Sequence, residues 1–315
     1  VIAGPFLFIF LQRRGDVSQA SAGARAPFLA LSPAMTIAGA CRLFSVTLVL
    51  GAAACRPSSG SEAPAGSTSE VNLSAVVWLQ TAAEFEALAL QAFAQATAAL
   101  DQALVEPSWV AAPEQTSAPE GAPPAVILDV DETVLDNSPY QGWLLRSGER
   151  FAPTSWGAWV EAAAAEAVPG ALAFTKAAAA RGVTVFYVSN RDVSGEAATR
   201  QNLARLGFPL AEEVDVVLLK GEREDWGSAK GTRRAEVASR YRIVMLVGDN
   251  LGDFTDEYKG DVAARAKVIE ATAPWWGSRW IMIPNPMYGS WESALGEGEP
   301  AATLRSGLKA WRGPM

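Results

Sequence analysis

Between Asn72 and Leu104 the apolar residues Val76, Leu79, Ala83, Leu88 and Phe93 return at roughly helical intervals. Asn72 or Ser74 stands where a helix N-cap belongs, so the pattern predicts one long helix. From Glu106 to Pro124 the chain turns to Pro, Ala and Ser, the composition of a loop. Apolar, strand-like runs follow, at Ala125–Val130, Val183–Val188, Val214–Leu218, Ile243–Val247 and Trp280–Ile283, separated by Ala-rich stretches of helical character. A strand that is apolar at nearly every position is one buried on both faces. The alternation therefore predicts an α/β fold, a parallel sheet with helices on both faces plus a smaller helical region. Trp143, Trp156 and Trp159 mark a helical insertion near 136–168, between the first two strands.

Composition narrows the chemistry. The 315 residues are 50% hydrophobic and 19% charged, which is enough for one large α/β domain with an accessory region, or for two small domains. There is no histidine, so a Ser-His-Asp triad, a phosphohistidine and a His-ligated zinc or haem are excluded. Acid and base must be carboxylate, Lys or Tyr. A formal charge of -8, with no basic stripe interleaved with aromatics, excludes a nucleic-acid polymer as the expected partner and favours a small molecule.

The two cysteines, Cys41 and Cys55, both lie in the first fifth of the chain and build no disulfide framework. From Met35 the chain reads MTIAGACRLFSVTLVLGAAAC: a lone Arg42, an apolar run from Leu43 to Leu50, then small residues before Cys55. This is the layout of a secretory signal, and the Cys directly after the small residues resembles a bacterial lipoprotein signal, with Cys55 as the lipidated N-terminus. An ordinary secretory peptide cut near Ala54 is the other reading, and both export the protein. Residues 1–54 are thus expected to be a start extension, with Met35 as initiator, followed by the signal. Residues 55–71 (RPSSGSEAPAGSTSE and its flanks) are expected to be a flexible tether. Residues 72–315 are expected to be the functional domain: helix and loop to 124, α/β core 125–291, carboxyl-terminal segment 292–315. Arg56 stands where an Asp would signal inner-membrane retention, so an outer-membrane lipoprotein facing the periplasm or cell surface is expected.

The chemistry gathers at the carboxyl ends of the predicted strands, where open α/β sheets place ligands. VILDVDET runs from a buried strand into Asp129, Asp131 and Thr133; residues two apart on extended chain point the same way, so two carboxylates converge and want a cation or a shared proton. VTVFYVSNR ends in Ser189 and Asn190, donors suited to phosphate oxygens, although Ser-Asn is also ordinary turn chemistry. IVMLVGDN ends in Asp249, with Asp253 one helical turn on; hard oxygen ligands from separate strand ends suit Mg²⁺. Lys230, in GSAKGTRRAEV, starts the helix before that strand, where a solvated lysine is the plainer alternative.

The order DxDxT, Ser at a strand end, Lys and GDNxxD resembles the haloacid dehalogenase superfamily of phosphotransferases. The strings AVVWLQTAAEFEALALQAF, LDVDETVLDNSPYQGW, VFYVSNR, VGDNLGDF and IMIPNPMYGSWE are similar, more narrowly, to the class C acid phosphatases, the lipoprotein e(P4) family of 5'-nucleotidases. The resemblance implies a haloacid dehalogenase-like, Rossmann-like fold and a Mg²⁺-dependent phosphatase acting through an aspartyl-phosphate. Asp129 would be the nucleophile and Asp131 the acid and base. The ion would be held by the Asp129 side chain, the Asp131 carbonyl and Asp249, with Asp253 orienting that shell. Thr133, Ser189, Asn190 and Lys230 would bind phosphate. Nucleoside 5'-monophosphates and aryl phosphates are the implied substrates, with Trp156 and Tyr288 as the aromatic contacts; both could equally be packing residues. Two departures stand out: Gly252 replaces an acidic residue often found in GDNLxDF, and GEREDWG before Ser228 lengthens a loop.

Relatives in this family often dimerise, which makes a homodimer an expected assembly, and some are linked to haem uptake. A surface lipoprotein binding haem or another ligand is accordingly the alternative function; without histidine it would need Tyr or Met as axial ligand. Transfer of the phosphoryl group to another alcohol would use the same residues.

Overall fold

The computed structural model describes residues 71–309. Cys55 and the predicted signal and tether segments up to residue 70 lie outside the described residues. Five parallel strands form the central sheet: β1 (Pro124–Leu128), β4 (Thr184–Asp192), β5 (Val217–Lys220), β6 (Arg242–Gly248) and β7 (Trp280–Met282), in the order β5-β4-β1-β6-β7. Every residue from Ala125 to Leu128 and from Ile243 to Val247 is buried. Because successive side chains point to opposite faces, both faces of the sheet are covered.

The helices that cover the sheet are α2 (Ala83–Val105), α5 (Ala171–Ala180), α6 (Glu196–Leu206) and α7 (Gly231–Ala238). After β1 the chain makes a short antiparallel pair, β2 (Leu135–Asp136) with β3 (Glu166–Ala167). The insertion between them carries α3 (Ser138–Ser147) and α4 (Pro153–Ala162). Later helices are α8 (Leu251–Phe254), α9 (Val262–Ala271), α10 (Ser290–Ser293) and α11 (Pro300–Ser306). Among the described residues no single helix is long and apolar enough to cross a membrane.

Two expectations are corrected. The single long helix is two: α1 (Leu73–Thr81) and α2 meet at a 67° bend, where Ala82 is extended at ψ 122°. The break resets the helical phase. Phe85, Ala89, Phe93, Ala96 and Leu100 form the buried stripe of α2, and Ala83 and Leu88 face solvent. Asn72 makes no capping bond; its amide instead donates to the Met287 carbonyl, tying the start of α1 to the segment after β7. The third strand also begins later than Val214, at Val217, where the Asp215 carboxylate folds back onto the Val217 N–H in a local turn at the strand's start.

Candidate active site

Where β1 ends, the Asp129 N–H still bonds the Val247 carbonyl of β6, so the first carboxylate is set by the sheet itself. The chain then turns tightly. The N–H groups of Val134 and Leu135 both bond the Val130 carbonyl, and Glu132 adopts φ 59° so that its N–H reaches the Leu135 carbonyl. A non-glycine residue in that left-handed region is uncommon and held there by its surroundings. On the neighbouring strand, β6 delivers Asp249. Asn250 then caps α8 in a capping box: its side chain accepts the Gly252 N–H, and the Asp253 carboxylate accepts the Asn250 N–H at 2.9 Å. Gly248 is required at this turn, since a Cβ there would lie 2.4 Å from the Asp253 side chain.

Oxygens of Asp129, Asp249 and Asp253 lie within 4.8 Å of one another. Lys230, at the N-cap of α7 and buried, donates to Asp129 and, at 2.7 Å, to Asp253. One ammonium does not balance three carboxylates out of water. Burial accordingly pushes Asp129 up to about 7, against the opposing pull of Lys230, and raises Asp249 well above the usual carboxylate range, helped by the charges of Asp253 and Asp129. Lys230 itself is raised, its carboxylate partners outweighing the cost of burial. A pocket of hard oxygens with surplus negative charge fits a small divalent cation.

Asp131, two residues past Asp129, joins a different set of contacts. Its Oδ1 accepts from Arg191 Nε at 2.9 Å, Arg191 Nη2 at 2.8 Å and Asn137 Nδ2 at 2.9 Å. Among the described residues its Oδ2 accepts only the Ser189 hydroxyl, at 3.3 Å. Thr133 is fully buried and its hydroxyl donates to Asp249 Oδ1 at 3.2 Å; Asn285, after β7, donates to the other oxygen at 2.8 Å. The Asn190 side chain is spoken for on both atoms, its Nδ2 donating to the Ser228 carbonyl and its Oδ1 accepting from Arg233.

These groups floor a cavity of ≈ 730 Å³ lined by Asp129, Asp131, Asn190, Arg191, Lys230, Asp249 and Asp253, with Leu144, Phe151, Trp156, Tyr258 and Tyr288 on its sides. Trp156 stands edge-on to Tyr140 at 5.2 Å, and the Arg191 guanidinium lies 5.7 Å from its ring centre. The Tyr288 hydroxyl donates to Glu132, a residue outside the cavity lining. All of the predicted residues of the described region therefore come together in one place, with Thr133 and Ser189 behind the lining rather than in it.

The sequence reading missed the supports. Arg191 was legible, since it lies two residues past Ser189 on extended chain and so points the same way. Arg233 and Arg234 were not, because an Arg pair at a helix start looks solvated, and both are fully buried. Arg233 donates to the Ser189 carbonyl at 2.5 Å and to Asn190, fastening the tip of β4 to the helix that carries Lys230; burial lowers it to about 10. Arg234 binds both oxygens of Glu114, reaches Asp256 at 3.0 Å, and donates to the Asp253 carbonyl.

Solved structures with this architecture include the class C acid phosphatase of Bacillus anthracis, at 34% identity and a TM-score of 0.68 over 78% of this chain and 99% of that one. A second structure of the same enzyme, with tungstate bound, gives 34% and 0.67, over 78% and 98%. Acid phosphatase 1 of Solanum lycopersicum is 31% identical over 167 residues, 51% of this chain and 57% of its own length. A stem 31 kDa glycoprotein of Glycine max is 28% identical over 165 residues, 51% and 58%. The chain thus spans little more than half the length of these plant relatives. The family described as HAD superfamily, subfamily IIIB (acid phosphatase) matches residues 52–291, and with a parallel sheet that brings DxDxT, Lys230 and GDNxxD to one cavity floor, the chain belongs to that family.

Proposed function

We propose that the protein is a phosphomonoesterase that uses Asp129 as nucleophile and acts on nucleoside 5'-monophosphates and aryl phosphates. The observation that carries this reading is the convergence of Asp129, Asp249, Asp253 and Lys230 beneath a cavity large enough for a nucleoside. The tungstate seen in the Bacillus anthracis structure is a tetrahedral oxyanion, the shape of ligand this floor suits. In the first step an Asp129 oxygen bonds to phosphorus while the bond to the leaving oxygen breaks, and Asp131 gives that oxygen a proton. In the second step Asp131 takes a proton from water, whose oxygen displaces Asp129 and releases inorganic phosphate. Three donors hold Asp131 Oδ1, so Oδ2, met only by Ser189, is the oxygen that carries the proton.

Lys230 offsets charge on the equatorial oxygens, and the backbone near Asn190 faces the same anion, its side chain being engaged elsewhere. Thr133 and Asn285 hold Asp249 in place. Mg²⁺ would be held by Asp129, the Asp131 carbonyl and Asp249, with Asp253 orienting them; when bound it supplies positive charge to the transferring phosphoryl group. Export with a lipid anchor on Cys55 and assembly as a homodimer belong to the same proposal. A Cys55→Ser variant that still partitions with membranes would argue against the anchor.

Asp129→Asn is expected to abolish phosphate release from p-nitrophenyl phosphate while the protein stays folded by circular dichroism. Hydrolysis at the parental rate would remove Asp129 as nucleophile. Treatment with EDTA should silence the enzyme and Mg²⁺ restore it; full activity in the chelated sample would reject the cation.

A further inference from the structure

Glu132 lies between the proposed general acid and Thr133, yet it lines no part of the cavity. It is 2% exposed, and its left-handed backbone, fixed by the bond from its N–H to the Leu135 carbonyl, turns its side chain behind the floor. No cation pairs with it among the described residues. Its Oε1 accepts the Asn137 N–H at 2.9 Å, and its Oε2 accepts the Tyr288 hydroxyl and, at 3.4 Å, Asn137 Nδ2.

Tyr288 belongs to the segment that crosses the site after β7. That segment is pinned elsewhere by Asn285 to Asp249 and by Asn72 to the Met287 carbonyl. The Met287 N–H also bonds the Asn285 side chain at 2.9 Å. Directly after these pins Tyr288 lines the cavity, while its hydroxyl donates to Glu132, which does not. A buried acid side chain with no counter-ion, on a left-handed backbone, is an unusual anchor for a phenol. It joins the aromatic wall to the same turn that carries both proposed catalytic carboxylates.

We infer that Glu132 is a positioning residue that holds Tyr288 against the nucleophile loop, so that the plane meeting the leaving group is registered to the phosphorus. The inference rests on the phosphatase reading above and adds a determinant of how the enzyme grips the organic part of its substrate. Glu132 touches neither phosphate nor the reacting atoms. Its effect should therefore fall on ligands that carry a leaving group and spare those that do not. A purely structural role, supporting the start of α3 through Asn137, would treat both alike.

The test compares KM and kcat for p-nitrophenyl phosphate with the inhibition constant of inorganic phosphate, in the full chain with Mg²⁺. Glu132→Ala and Tyr288→Phe are each expected to raise KM on the order of fivefold, the size of one lost hydrogen bond, with kcat changed less and the phosphate constant within about twofold of the parent. The double variant should be no worse than either single one. Glu132→Gln, which can still bond the phenol, should restore most of the loss. Unmoved KM values overturn the inference, as do a phosphate constant that rises with KM or single effects that multiply in the double variant. Should Glu132→Ala fail to fold, Tyr288→Phe and Glu132→Gln decide by the same measurements. A parent with no phosphatase activity would bring down the reading of the floor and this inference with it, whereas an active parent with unmoved KM values brings down this one alone.

Discussion

The floor and the wall of the cavity are built by different means. The floor stands on strand ends. Asp129 is fixed by a sheet hydrogen bond, Asp249 by Thr133 and Asn285, and Lys230 by two carboxylates, and all of it is buried or nearly so. The wall comes from the insertion and from the segment after β7. There Phe151 is 62% exposed, Trp156 and Tyr288 are only partly buried, and Phe151 and Trp156 pack on each other. Chemistry that must repeat to within tenths of an ångström sits where the backbone itself sets positions. Recognition of a variable leaving group is left to side chains that can be exchanged without disturbing the sheet.

The contrast can be broken most sharply at the floor. Asp249→Asn should lower kcat/KM by about 10³ or more, through loss of a ligand and of charge at the phosphoryl group. Steady-state rates on p-nitrophenyl phosphate with a Mg²⁺ titration check it, and a loss of less than tenfold would separate Asp249 from the chemistry. Next in size is the scaffold beneath. Arg234→Met removes the buried partner of Glu114 and Asp256, which solvent still reaches, a loss of about 1–2 kcal/mol, which thermal unfolding should show as a fall of about 5 °C.

The wall should yield smaller, KM-type effects. Trp156→Ala removes an edge contact with Tyr140 and the ring beside Arg191, and is expected to raise KM for aryl phosphates roughly tenfold while kcat changes little. An equal loss in kcat would place Trp156 in the floor instead. The smallest effect concerns pH. Asp129, Glu132 and Asp249 are all raised by burial in the native state, so the fold binds protons there that the unfolded chain has given up. In EDTA, stability from Asp129 is full below about 4 and drains away as pH rises through about 7. Melting temperatures in EDTA should therefore be several degrees higher at pH 5 than at pH 7.5, and Mg²⁺ should narrow the gap. A reversed slope would mean that these carboxylates are ionised in the metal-free fold.

The same division marks what could be read from the sequence. Strand runs such as AVIL and IVMLV are apolar at every position, and a carboxylate within two residues after each is visible because strand ends are where a parallel sheet exposes polar atoms. The sheet and the floor were legible for that reason. The bend at Ala82 was not, since nothing in an Ala-rich stretch marks where the helical phase resets. Nor were Glu132, Asn285, Arg233 and Arg234. Their roles depend on which elements meet across the fold, and a buried Arg bonded to carbonyls carries the same letter as one in water. Tyr288 shows both sides: its place in the cavity was foreseen, and the partner of its hydroxyl was not.

The central claim, that Asp129 receives the phosphoryl group at a cation-binding floor, is tested most directly by a crystal structure of the protein soaked with Mg²⁺ and beryllium fluoride. The account predicts a tetrahedral fluoroberyllate bonded to an Asp129 oxygen, with Lys230 on one of its fluorines and an ion touching Asp249. A fluoroberyllate bound elsewhere in the cavity, or an Asp129 left bare while the Mg²⁺ site is filled, would contradict it.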